Sequence, residues 1–105
     1  MKQHKYRAKK CEIDGIKFDS LAEGRRYSLL KLMERQGLIN ELQCHPAWDL
    51  IVNKQKICRY VADFEYRSPE NERIVEDVKG MQTRAFRIKF KLMKALHGIE
   101  VRVVS

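Results

Sequence analysis

The sequence lacks several features that would place it elsewhere. No apolar run approaches the roughly 20 residues needed to cross a bilayer, so no membrane span and no membrane partner are expected. The opening stretch MKQHKYRAKK has the charge of a secretory leader but no apolar segment behind it, and a cytoplasmic location is expected. Cysteine is scarce: Cys11, Cys44 and Cys58 cannot all pair with one another, and their scatter suggests no disulfide framework. Cys44-His45 with Cys58 offers neither C-x-x-C nor H-x-x-x-H spacing, so buried reduced thiols are expected and a zinc site is not. There is no internal repeat, Gly/Ser linker or low-complexity tract. At 105 residues and 44% apolar composition, one ordered core is expected rather than two, or none.

Positive charge is abundant. Against 14 Asp and Glu stand 22 Lys and Arg, a formal net charge of +8. So small a basic domain calls for an anionic partner, and nucleic acid is the first candidate. If about six charges met phosphates on duplex DNA, the salt slope of log K would be roughly −5. Charge alone does not separate a nuclease from a basic binding module. Within the first ten residues, Lys2, Lys5, Arg7, Lys9 and Lys10 surround Tyr6 with no acidic neighbour, which reads as a flexible basic arm whose tyrosine either stacks on a base or stays free. The remaining chain, 11–105, reads as one domain.

Asp14-Gly15 between short alternating segments signals a two-residue hairpin. Ser20 with Glu23 three residues later is a capping box opening a helix that Gly37 ends. Ala22, Leu29, Leu30 and Met33 supply its apolar stripe, and Gly24 reads as a mild flaw costing about 1 kcal/mol against Ala. Strand patterns follow, one from Leu42 to Ile51 interrupted by Pro46, a turn over Asn53–Lys56, and one from Ile57 to Tyr66. After a break at Ser68–Asn71, Arg73 to Lys79 forms the return strand. A second helix runs from Thr83 to His97 before Gly98. It carries an arc of Phe86, Phe90, Leu92, Met93 and Leu96 opposite Arg84, Arg87, Lys91 and Lys94. Ile99 to Val104 closes the chain as a strand, giving a mixed α+β domain with one sheet.

Chemistry concentrates on two strands. Side chains alternate along a strand, so Asp77 and Lys79 share a face and Glu76 takes the other, with a structural or rim role. Pairing that is symmetric about Glu70 sets Asp63 opposite Asp77. Two facing carboxylates repel without a cation between them, and Mg²⁺ suits oxygen donors near phosphate. Lys79 beside them can orient a water or steady charge growing on phosphorus. Asp, Glu and Lys are common on solvated strands, but Asp63 lies inside the apolar run Tyr60-Val61-Ala62-Asp63-Phe64, where a carboxylate is out of place.

The motifs Phe18-Asp19-Ser20-Leu21-Ala22-Glu23, Ala62-Asp63-Phe64 and Glu76-Asp77-Val78-Lys79-Gly80 follow one another over almost the whole chain. With Tyr27 and the basic second helix, they resemble the small phage and prophage nucleases of the PD-(D/E)XK superfamily, similar to Holliday junction resolvases. The resemblance implies a restriction-endonuclease-like αβββαβ core with a central mixed sheet flanked by helices. It also implies a Mg²⁺-dependent endonuclease, with Mn²⁺ able to substitute. Asp63 and Asp77 would be metal ligands, Lys79 the motif lysine, Glu23 an additional acidic ligand, and the backbone carbonyl of Val78 a further donor. Ala62 stands where the superfamily has proline. Glu23 thus has two readings, cap and ligand. Gln82 and Thr83 either touch the scissile phosphate or, for Thr83, cap the second helix. Lys89 either snorkels to the surface or reaches toward the site. Trp48 is core or dimer contact. Lys5, Arg7, Lys9, Lys10, Arg84, Arg87, Lys91 and Lys94 would hold DNA phosphates. Cutting both strands of a four-way junction requires a homodimer. Nucleases for flaps, nicks or single strands, and a non-catalytic module, are the competing readings.

Overall fold

A computed structural model describes residues 9–105, so Lys5, Tyr6 and Arg7 lie outside the described residues. Asp14 and Gly15 both take positive φ, 54° and 78°, and close the hairpin of β1 (Cys11–Ile13) and β2 (Ile16–Phe18) in the two-residue turn expected.

Helix α1 (Leu21–Arg35) starts at Ser20, whose hydroxyl accepts the Glu23 N–H at 3.1 Å. It ends where Gly37, at φ 77°, lets Leu38 N–H reach Met33 O at 2.9 Å. Its buried face differs from the stripe expected. Gly24, Tyr27 and Leu30 point inward, whereas Leu29 is 46% exposed. Tyr27 can be buried because its hydroxyl donates to Asp14 at 2.9 Å. Gly24 is no flaw: a Cβ there would stand 2.6 Å from Cys11 Sγ and 3.1 Å from Ile13 Cδ1, so the helix rests on the hairpin only because position 24 has no side chain.

The Leu42–Ile51 pattern is interrupted at Pro46 as expected, and the Ile57–Tyr66 strand, expected whole, is cut as well. β3 (Asn40–Cys44) and β4 (Ala47–Val52) are separated at His45-Pro46, and β5 (Gln55–Val61) and β6 (Phe64–Arg67) at Ala62-Asp63. The breaks face each other and are spanned by His45 N–H to Asp63 O and Ala62 N–H to Pro46 O, each 3.0 Å. Proline cannot donate to a ladder, and the paired strands bend together there. The connecting turn is only Asn53-Lys54, both at positive φ, rather than the four residues expected. One half of this long hairpin therefore joins the main sheet while β4–β5 forms a separate ribbon.

The main sheet has the order β3-β6-β7-β8, with β7 (Arg73–Val78) antiparallel to β6 and parallel to β8 (Arg102–Val104). The parallel step requires a crossover, which α2 (Arg84–His97) provides. Thr83 caps α2, accepting Phe86 N–H at 3.1 Å, and Gly98 ends it at φ 67°. The order α1-β3-β6-β7-α2-β8 is the expected αβββαβ arrangement in an α+β fold. β8 is shorter than expected, although Ile99 and Val101 are buried ahead of it. In place of the single core expected there are two, because the sheet is covered on both faces: one lies under α1, with Phe18, Tyr27, Leu30, Phe64 and Tyr66, and the other under α2, with Leu50, Tyr60, Val75, Phe86 and Met93. Leu96, placed by the sequence on the apolar arc, is 38% exposed. Among the described residues no helix is long and apolar enough to cross a membrane.

Candidate active site

The β6–β7 ladder runs from Arg67 opposite Arg73 to Phe64 opposite Glu76, which is symmetric about Glu70. The next pair beyond its end is Asp63 and Asp77. Each carboxylate is anchored by a backbone amide of the other strand: Asp77 Oδ1 accepts Asp63 N–H at 2.9 Å, and Asp63 Oδ2 accepts Val78 N–H at 2.7 Å. Asp77 Oδ2 also accepts the Tyr60 hydroxyl. Val78 thus touches the site through its amide. The bend at Ala62-Asp63 swings Asp63 toward the first turn of α1, where Glu23 stands.

Of the two readings of Glu23 the cap is observed, and the same carboxylate also stands beside Asp63. Its carboxylate accepts Asp19 N–H and the Ser20 hydroxyl, each at 3.3 Å, completing the cap. Ligating atoms of Glu23, Asp63 and His45 also lie within 4.8 Å of one another. His45 is not among the site residues expected from the sequence. Its neighbour Cys44 packs under α1 and Cys58 under α2, so the two sulfurs do not converge on it. The available signal was Pro46, which bends the strand opposite Asp63.

Burial pushes Asp63 up to about 6 from an ordinary 3.8; the Val78 amide opposes this and neighbouring Asp77 adds to it. Glu23 is raised by burial and then by Asp63, and Asp77 by burial against the pull of the Tyr60 hydroxyl. Tyr60 is itself raised, first by burial and then by Asp77. Asp63 therefore stands between two carboxylates, Glu23 on one side and Asp77 on the other, where charge is costly; Asp77 itself lies outside the Glu23–His45–Asp63 group. Oxygen donors so gathered fit a hard divalent cation, which would relieve that cost.

Lys79 shares the Asp77 face, its Nζ 5.1 Å from the centre of the Phe86 ring. Asp77 and Lys79 open onto a cleft of about 320 Å³, lined also by Arg59, Thr83, Phe86 and Lys89. Lys89 reaches the Arg59 carbonyl at 3.5 Å on the lining of the same cleft. Thr83 caps α2 at the cleft edge, and Gln82 is exposed. Arg84, Arg87, Lys91 and Lys94 are exposed on the outer side of α2, where Lys94 pairs with Glu100 at 3.0 Å. Lys9 and Lys10 are exposed beside β1. Trp48 stacks on Tyr60 with ring centres 6.3 Å apart, a core position. Glu76 faces α1, fully buried, where Arg26 grips it with two bonds of 2.8 and 2.7 Å and Tyr66 donates its hydroxyl. Its role is structural, and it lies on no rim.

A family model described as "Protein of unknown function (DUF1064)" matches residues 3–103, and the chain belongs to that family. No curated protein and no solved structure matches it.

Proposed function

We propose that this member of the family is a divalent-metal-dependent endodeoxyribonuclease that hydrolyses phosphodiester bonds, acting on branched DNA as a Holliday junction resolvase in the cytoplasm. The observation that carries the reading is the interlocked Asp63–Asp77 pair, with Asp77 buried and lining a cleft that also carries Lys79 and Lys89. The motif resemblance to PD-(D/E)XK nucleases points the same way. Asp63 and Asp77, with Glu23, would hold the cation; Mg²⁺ fits the carboxylates, and Mn²⁺ would substitute. When bound, it supplies an activated water and neutralises charge on phosphate.

The chain's own groups do the positioning. The amides of Asp63 and Val78 fix both carboxylates, so they need little reorganisation when substrate arrives. Lys79, held over Phe86, places its ammonium where it can orient a water or meet charge developing on the phosphoryl oxygens. Lys89 and the outer face of α2 offer cations for flanking phosphates, contacts that position DNA without reading its sequence. One chain presents one such site, so two symmetric cuts require a two-fold homodimer.

The test is cleavage of labelled four-way junctions and linear duplex, with and without Mg²⁺. Junction cleavage that needs the cation is expected. Equal cutting of linear duplex would reject the resolvase assignment in favour of a less selective nuclease, and no cutting of any DNA would leave a binding module. Asp77→Asn should abolish cleavage while shifting junction affinity by no more than about twofold, because phosphate contacts elsewhere dominate binding.

A further inference from the structure

We propose that His45 is a metal ligand, and that Glu23, His45 and Asp63 form a mixed nitrogen–oxygen site that prefers a first-row transition-metal cation to Mg²⁺. The proposal rests on the metal-site reading above for Asp63 and Glu23; the imidazole is what it adds. The three ligating atoms lie within 4.8 Å of one another, close to the roughly 4.2 Å that separates opposite ligands on one small cation, so slight side-chain rotation brings all three onto a single ion.

The backbone pays for this placement. His45 sits at φ 57°, a left-handed conformation uncommon outside glycine, and it precedes Pro46, where extended backbone is the rule. Two strand breaks and the start of a helix meet there. His45 N–H is bonded to Asp63 O at 3.0 Å, so the residue that supplies the imidazole is tied to the residue that supplies the carboxylate. The Phe18 ring, centred 5.8 Å from the imidazole and tilted by 48°, backs it. His45 is exposed, which leaves the ion a route from solvent. Strain of this kind gathers at functional positions.

An imidazole donor changes which ion is held. Mg²⁺ favours oxygen and retains its waters, whereas imidazole strengthens binding along the series from Mn²⁺ to Co²⁺ and beyond. The other described histidine, His97, lies at the far end of α2 with Nε2 3.1 Å from Asp49 O, remote from these carboxylates.

The test uses the whole chain with Co²⁺ and Mg²⁺ as probes. Calorimetry gives the affinities, and the Co²⁺-shifted imidazole N–H resonance reports nitrogen ligation directly. Wild type should bind one Co²⁺ at least tenfold more tightly than Mg²⁺ and show the shifted resonance. His45→Asn, which tolerates left-handed backbone, and His45→Ala should each lose that resonance and at least tenfold in Co²⁺ affinity, with Mg²⁺ affinity within twofold of wild type. Should His45→Ala fail to fold, His45→Asn alone decides. Retention of the resonance and affinity in His45→Asn would overturn the proposal, as would a wild type that prefers Mg²⁺. The two readings fail separately. A wild type that ligates Co²⁺ through His45 but cuts no DNA rejects the nuclease and keeps this site. A Mg²⁺-dependent junction nuclease whose Co²⁺ binding ignores His45 does the reverse.

Discussion

Replacing Asp63 with Asn should make the metal-free protein more stable at neutral pH. In the fold the Asp63 carboxyl titrates near 6, against 3.8 when free, chiefly because it is buried. A folded value above the unfolded one means that the native state holds the proton more tightly. Its stabilising share is full below pH 4 and is lost as pH rises through 6. That gap corresponds to about 3 kcal/mol, and because Asp77 faces Asp63 the step belongs to the pair. Asn removes the charge and keeps one oxygen for Val78 N–H, a bond whose pull is already contained in the Asp63 shift. Solvent screening of the partly exposed carboxylate trims the gain to about 2 kcal/mol at pH 7.5, a Tm rise on the order of 10 °C for a domain this size. At pH 4 the two proteins should be equal or wild type slightly ahead. Urea unfolding at both pH values in EDTA measures this difference directly, since the other titrating groups cancel between variant and parent. A variant less stable than wild type at pH 7.5, or a difference indifferent to pH, refutes the reasoning. A saturating divalent cation should then reverse the order: at 100 times its Kd it stabilises wild type by about 2.7 kcal/mol and leaves Asp63→Asn nearly unmoved.

Gly24→Ala should cost about 1–3 kcal/mol through overpacking against Cys11, and Cys11→Ala in the same chain should recover most of it; additive losses in urea unfolding would refute the close-approach account. Glu76→Gln should cost about 3 kcal/mol by leaving the Arg26 guanidinium without its carboxylate, with Co²⁺ affinity unchanged in calorimetry because Glu76 lies on the opposite face of β7. Arg87→Ala and Lys91→Ala should each reduce the slope of log K against log salt on a four-way junction by about 1. Unchanged slopes would mean that the outer side of α2 does not meet phosphate.

Local signals carried most of the fold. Asp14-Gly15, the Ser20–Glu23 box, Thr83 and Gly98 each act within a few residues, and each does in the structure what its chemistry demands. The register of Asp63 against Asp77 was equally legible, since the loop between their strands fixes it. What the sequence hid depends on distant partners. Gly24 looked like a weak helix residue because Cys11, thirteen positions earlier, does not announce that it will stand where a Cβ would go. Leu29 looked buried because helical periodicity gives the stripe but not its rotation, which Tyr27 and Gly24 set through the β1–β2 hairpin. His45 was hidden because its place beside Glu23 and Asp63 arises only when two strands break at the same level. Pro46 marks one break, whereas the other, at Ala62-Asp63, is imposed by the partner strand.

Adjacent residues on β7 give the strongest physical argument that the site is functional. Glu76 and Asp77 are both almost fully buried, on opposite faces of one strand. A chain selected only to fold would neutralise both, because an uncompensated buried carboxylate is expensive. Glu76 is neutralised: Arg26 meets it with a two-pronged ion pair, and Tyr66 fills the remaining position. Asp77 receives a hydroxyl, an amide and a side-chain bond from Asp63, itself a carboxyl, and among the described residues no Arg or Lys forms an ion pair with it. Lys79 acts on its charge from a distance, with its ammonium over Phe86. In a protein with net charge +8, a lack of available cations cannot explain this difference. The sheet face toward α1 neutralises its buried carboxylate, whereas the face toward α2 leaves Asp77 without an ion pair, as the proposed metal site requires.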